Sequence, residues 1–139
     1  MLSGIPGTGK DTWIRENAPE LPMISLDEIR KEFAVGPTDP QGSVVQTAHE
    51  RAKEYLRKKQ PFVWNATSLT KETRQTQVSL FERYGARVRI VYLEADWNTR
   101  QERNRGRLDA VSEIAVERML EKTVPPTPVE AQTVEWVFA

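Results

Sequence analysis

A glycine-rich segment at the start of the chain restricts the fold more than any other feature of the sequence. Gly4, Gly7 and Gly9 stand close together, and Lys10 follows the last of them directly. Glycines at this spacing let a tight loop turn successive backbone N–H groups toward an anion, and a helix that begins at the loop adds a favourable dipole. The short apolar strand at residues 1–3 and the helical pattern after Lys10 supply the required context. We therefore predict a strand, a phosphate-binding loop and a helix, in that order.

The spacing Gly4-x-x-x-x-Gly9-Lys10 is that of the P-loop, which binds nucleoside triphosphates. The Lys10 ammonium is expected to act as a point charge on the β- and γ-phosphates, so it is a candidate catalytic residue. An ordinary turn is the alternative for the glycines, but the strand, the lysine and the helix together favour a P-loop. The residues predicted to bind ATP or another nucleoside triphosphate are Gly4, Gly7, Thr8, Gly9, Lys10, Asp11 and Thr12.

Asp11 stands where the P-loop pattern has a serine or threonine whose hydroxyl holds Mg²⁺. A carboxylate beside triphosphate oxygens would repel them unless it faces a metal ion. We therefore predict that Asp11 contacts Mg²⁺, directly or through water, and that ATP and Mg²⁺ are the cofactors. The alternative is that the neighbouring Thr12 supplies the hydroxyl.

Short apolar runs alternate with helical patterns along the rest of the chain. The runs lie at residues 22–25, 62–64, 88–93 and 134–138. This alternation predicts one three-layer α/β domain, with a parallel sheet flanked by helices on both faces. Ligands bind such sheets beyond the C-terminal ends of the strands.

The composition removes several other kinds of site. The chain has no cysteine and one histidine, which excludes disulfides, thiol catalysis and cysteine- or histidine-based metal centres. No stretch approaches the roughly 18 apolar residues of a membrane span. No signal peptide is recognisable at the N-terminus, so we expect a cytoplasmic protein without membrane contact.

The motifs of two other P-loop classes are missing. The sequence lacks the Asn-Lys-x-Asp motif of switch GTPases, and Asn65 stands where a motor-type ATPase would place an acid. Small kinases need only an acid that orients the acceptor, and arginines for the developing charge. Asp27 is the candidate acid, with Arg30 one helical turn on. The alternative is a first-turn helix acid with an i,i+3 partner.

Arginines cluster in the segment after residue 99. Arg100, Arg103 and Arg107 are three and four residues apart, which predicts one shared helix face, and Gly106 offers a hinge. A mobile lid can deliver arginines to phosphates, so Arg103 and Arg107 are candidate catalytic residues. A solvated basic helix face is the alternative.

The segment after Asn65 is a further candidate for acceptor binding. Thr67 is expected to touch the acceptor, and Arg74 lies downstream. The alternative is a turn at the strand end, with Ser68 or Thr70 capping the next helix.

These segments, in this order, resemble the kinase module of bacteriophage-type polynucleotide 5′-kinases and of related bacterial RNA-repair enzymes. The resemblance lies in residues 4–13, 27–30, 65–69 with Arg74, 103–107 and 125–131, and it covers nearly the whole chain. It implies a P-loop kinase fold in which Asp27 is the general base on a 5′-hydroxyl and Arg30 contacts the substrate phosphate. It also implies that Thr67 and Arg74 belong to the acceptor-binding element and that residues 103–107 form an arginine lid.

Three positions depart from that family. Asp11 replaces a hydroxyl residue, Asn65 an acid and Ser68 an asparagine. The first strand is also shorter than the family's, as in a module excised from a larger protein. In bacterial relatives with similar loops the module follows an HD-type phosphohydrolase, so the resemblance implies a fused or associated HD phosphohydrolase or ligase partner.

The sequence as a whole predicts a P-loop kinase domain over residues 1–139. Its expected reaction moves the γ-phosphate of ATP onto the 5′-hydroxyl end of RNA or DNA, in nucleic-acid end healing. A small-molecule kinase acting on a sugar or nucleoside is the first alternative. A nucleotide-binding module without catalysis, its metal site spoiled by Asp11, is the second.

Overall fold

The computed structural model describes residues 1–36, 39–107 and 111–138. The strands are β1 (Leu2–Ser3), β2 (Met23–Ser25), β3 (Val63–Asn65), β4 (Arg89–Glu94) and β5 (Thr133–Phe138). The helices are α1 (Lys10–Asn17), α2 (Leu26–Glu32), α3 (Gly42–Arg57), α4 (Lys71–Arg83), α5 (Trp97–Arg105) and α6 (Glu113–Lys122). Among these described helices, none combines the length and apolar character needed to cross a membrane.

All paired strands run parallel, as the sequence predicted. β2 pairs with β3, and β4 pairs with β1 on one side and β5 on the other. The Gly4 backbone N–H donates to the Thr67 carbonyl at 2.8 Å, which joins the end of β1 to the segment after β3. The C-terminal ends of these strands therefore meet at one edge of the fold.

Helices cover both faces of the sheet, which confirms the three-layer prediction. Neighbouring residues of a strand point to opposite faces. In β4, Ile90 packs with Trp64 and Phe81 in one apolar core, whereas Val91 packs with Ile14 in the other. Each core is closed by helices, because both faces of a parallel sheet must be buried.

Helix α1 begins differently from four of the other helices. Helices α2, α4, α5 and α6 start at a side-chain cap, provided by Ser25, Thr70, Asp96 and Ser112. Each cap accepts a hydrogen bond from a backbone N–H three residues on. Helix α1 has Gly9 at its N-cap, at φ 97°, and no side-chain cap. No N-cap side chain therefore occupies its first N–H groups, which suits the predicted phosphate-binding loop.

Candidate active site

Two glycines of the P-loop are required by close contacts. Gly4 has φ 149°, and a Cβ there would lie 2.7 Å from the Leu93 carbonyl oxygen and 2.8 Å from Thr8 Oγ1. Gly7 has φ 87°, and a Cβ there would overlap the Arg100 carbonyl oxygen. The loop is therefore packed tightly between the end of β4 and the start of α5.

Lys10 lies half-buried at the first position of α1. Its Nζ donates to the carbonyl oxygens of Gly4 at 2.7 Å and Ile5 at 3.2 Å. Burial lowers the pKa of the Lys10 ammonium to about 8, and the attraction of the Asp27 carboxylate offsets part of this effect. The ammonium has three donors, so one remains beyond these two carbonyl contacts.

Asp27 connects the predicted acceptor site with the predicted lid. It lies in the first turn of α2, two residues after the end of β2, and forms an ion pair with Arg30, while its Oδ2 lies 4.0 Å from an Arg107 nitrogen. Gln41 holds the Arg30 guanidinium by accepting from Nε at 2.7 Å. Both Asp27 and Arg107 act on the pKa of Lys10. The structure thus brings these predicted site residues together at the C-terminal edge of the sheet.

Asp11 is exposed on the first turn of α1, and its Oδ1 accepts from Asn65 Nδ2 at 3.1 Å. The Thr12 hydroxyl accepts from Arg15 at 3.3 Å. Within the described ranges, no group of three acidic or histidine residues surrounds a common point. One carboxylate fits Mg²⁺ that takes its other ligands from triphosphate and water, which is the usual arrangement for this ion. The metal-binding role of Asp11 stays a prediction.

Thr67 and Arg74, predicted together as acceptor residues, lie in different environments. Thr67 is half-buried, and its carbonyl contacts the P-loop at Gly4. Arg74 is fully buried, with Nε 2.8 Å from Glu130 Oε1 and NH1 3.0 Å from the Ser68 carbonyl. The donors of Arg74 are thus paired with protein groups away from solvent, and its role in acceptor binding stays a prediction.

The three arginines predicted on one face of α5 do not share a helix face. Helix α5 ends two residues before Arg107, and Arg103 is exposed. Arg100 is 1% exposed, and it donates to Glu113 at 2.6 Å and to the Pro6 carbonyl at 3.3 Å. Arg100 therefore links α5 to the P-loop and to α6. Arg103 and Arg107 stay candidates for the predicted lid. Residues 108–110, which follow the predicted lid in the sequence, lie outside the described residues.

Sequence reasoning missed two contributors to the site. Asn65, which departs from the family pattern, contacts Asp11. Glu113, which no motif in the sequence marks, is the partner of Arg100. Of these two residues, only Asn65 could have been identified from the sequence, because it ends a predicted strand at the edge of the sheet where the P-loop lies.

A parallel sheet flanked by helices, with a P-loop between β1 and α1, defines a nucleotide-binding domain of the P-loop kinase fold. The chain belongs to the AAA domain family, whose model matches residues 1–126. No curated protein matches the sequence.

Several solved structures share the fold. A proposed kinase from Chloroflexus aurantiacus J-10-fl is 17% identical at a TM-score of 0.74, over 99% of this chain and 82% of that protein. A sugar kinase from Janibacter sp. HTCC2649 is 14% identical at a TM-score of 0.73, with the same coverages. Kti12 from Chaetomium thermophilum, in complex with ADP-AlF3, is 12% identical at a TM-score of 0.70, over 99% of this chain and 87% of that one.

Proposed function

We propose that this domain transfers the γ-phosphate of ATP to a hydroxyl group. The observation that carries the proposal is the cluster of Lys10, Asp27 and Arg107 at the mouth of the P-loop. The acceptor oxygen would attack the γ-phosphorus while the bond to the β–γ bridging oxygen breaks, and Asp27 would orient the hydroxyl and take its proton. Lys10 and Arg107 would stabilise the charge on the phosphates. Mg²⁺, held by Asp11, would neutralise charge on the triphosphate.

The acceptor we favour is the 5′-hydroxyl end of RNA or DNA. Support comes from the motif order described above and from Arg30, which lies beside Asp27 and can contact an acceptor phosphate. A cytoplasmic location and an HD phosphohydrolase or ligase partner belong to the same proposal.

A small hydroxyl compound such as a sugar or nucleoside is the second candidate acceptor. Two observations favour it. Arg74 is fully buried, and its donors are paired with protein groups. A sugar kinase is among the proteins that share the fold.

Competing acceptors distinguish these candidates. The protein is incubated with labelled ATP, Mg²⁺ and 5′-hydroxyl RNA or DNA oligonucleotides, and with sugars and nucleosides in parallel. The Lys10→Ala variant is the control for contaminating kinases. Label on oligonucleotides supports the favoured acceptor, and label on small molecules alone supports the second candidate. Tight ATP binding without any transfer would indicate a non-catalytic nucleotide-binding module.

A further inference from the structure

We propose that Asn65 is a positioning residue that aims the Asp11 carboxylate at the metal ion of a bound metal–nucleotide complex. The inference rests on the proposed use of ATP and Mg²⁺. It concerns a contact between two positions that are 54 residues apart in the chain.

The geometry of Asn65 suits this role. It is the last residue of β3 and only 9% exposed, so its backbone and side chain are held by the sheet. Its Nδ2 donates to Asp11 Oδ1 at 3.1 Å and lies 3.6 Å from the Met23 sulfur of the neighbouring strand. The amide therefore has a fixed direction, with one strong acceptor, the exposed carboxylate on α1.

A held carboxylate has a specific advantage at this place. Asp11 lies in the first turn of α1, directly after the loop that is expected to take the triphosphate. Without a metal ion its charge would repel the phosphates, and with a metal ion it becomes a ligand. The bond from Asn65 occupies part of Oδ1 and limits rotation of the carboxylate, so the second oxygen stays available at a defined position.

The chemistry of the pair also explains why a neutral residue stands at position 65. An aspartate there would place a second carboxylate about 3 Å from Asp11, which disfavours two ionised groups. An amide of the same shape supplies a donor instead. We infer that the acid at position 11 and the amide at position 65 depend on each other.

Nucleotide affinity measured with and without metal tests the inference. A non-hydrolysable ATP analogue is titrated calorimetrically in Mg²⁺ and in EDTA, and the ratio of the two affinities is the metal enhancement. Asp11→Ala should lower this enhancement while strengthening binding in EDTA, because the repulsion is gone. Asn65→Ala should lower the enhancement about 10-fold, as loss of a ligand-orienting partner does. Asn17→Ala, at the far end of α1, is the matched control and should change neither value.

The double variant decides between a coupled and an independent role. If Asn65 acts through Asp11, Asn65→Ala should have no further effect on the enhancement in the Asp11→Ala background. Equal effects of Asn65→Ala in both backgrounds, or an unchanged enhancement in the single variant, would overturn the inference. Wild-type protein that binds no nucleotide in either condition would instead overturn the proposed function, and the inference with it.

A stability measurement needs no ligand and tests the dependence directly. Asn65→Asp should lower the Tm at pH 7 by about 3 °C or more, because the two carboxylates repel. Asp11→Ser in the same chain should restore most of the loss, whereas Asp11→Ser alone should change the Tm little. A double variant no more stable than Asn65→Asp would show that the two side chains are independent.

Discussion

The ammonium group of Lys10 lies in a loop whose nearest oxygens are backbone carbonyls, and burial holds its pKa at about 8. Bound phosphates favour the charged form, so the pKa of Lys10 in the complex must lie above that of the free protein. We therefore expect the affinity for ATP to be flat below about pH 8. Above it, the affinity should fall by up to about tenfold per pH unit, until the pKa of the complex is reached. Calorimetric titrations between pH 7 and 9.5 measure this slope.

A Lys10→Met variant is the control for this pH dependence. It keeps an unbranched side chain but has no titrating group, so its affinity should be weaker and independent of pH in the same range. The same slope in this variant would assign the proton to another group.

Asp27 is exposed over 61% of its side chain, so its ion pair with Arg30 contributes little to stability. If it orients the acceptor, Asp27→Asn should cut turnover by about 10²-fold or more, because an amide cannot take the proton. ATP affinity should barely change, and the free energy of unfolding should fall by less than about 1 kcal/mol. Turnover, ATP affinity and Tm are measured for Asp27→Asn beside Asp27→Ala.

The alternative for Asp27, a helix acid with an i,i+3 partner, predicts the reverse pattern. Stability would then fall slightly while turnover stays intact. Full activity in both variants would place the acceptor site elsewhere and remove the central residue of the proposed function.

The arginines of α5 and of the segment that follows it lie in two different environments. Arg100 is buried against the P-loop and Glu113, while Arg103 stays exposed and Arg107 lies beside Asp27. If the last two form a lid, Arg103→Ala and Arg107→Ala should each slow turnover more than they weaken ATP binding. The expected loss is about 10²-fold for Arg107, the size seen when one preorganised donor is removed from a transition state.

The exposed Arg118 on α6 provides a control for these charge deletions. Arg118→Ala removes the same charge from a neighbouring helix and should leave kcat unchanged. Measuring both kcat and the dissociation constant of ATP for each variant separates an effect on turnover from an effect on ATP binding. Unchanged kcat in both lid variants would assign Arg103 to a solvated helix face and leave Arg107 without a catalytic role.

The buried ion pair of Arg74 and Glu130 joins α4 to the segment that precedes β5, and so ties the last strand to the rest of the fold. Removing one partner leaves a buried charge without compensation. Arg74→Ala should therefore lower the free energy of unfolding by about 3–5 kcal/mol. Urea unfolding monitored by fluorescence measures the loss, and Arg74→Met with Glu130→Leu should recover most of it.

The same Arg74 variant also tests its predicted role in acceptor binding. Where the protein remains folded, Arg74→Ala should leave the KM for the acceptor near the wild-type value. A small loss of stability together with a large rise in the KM for the acceptor would show that Arg74 binds the acceptor.

Short-range signals in the sequence were sufficient to predict the helices, the strands and the P-loop. Ser25, Thr70, Asp96 and Ser112 cap helices through bonds that span only three residues, so local sequence is enough to mark where these helices start. The spacing of Gly4 to Lys10 predicted the loop for the same reason, since a loop and the helix after it are formed by neighbouring residues. Alternation of strands and helices then left a parallel sheet as the only common arrangement.

The partners of the site residues depended on the order of the strands, which local spacing does not encode. Arg74 meets Glu130 from 56 residues away, and Asn65 meets Asp11 from 54. Arg100 has the spacing of a lid arginine, but α6 folds back and buries it. A side chain's role depends on the charge and solvent around it, and these come from distant segments that only the folded chain brings together.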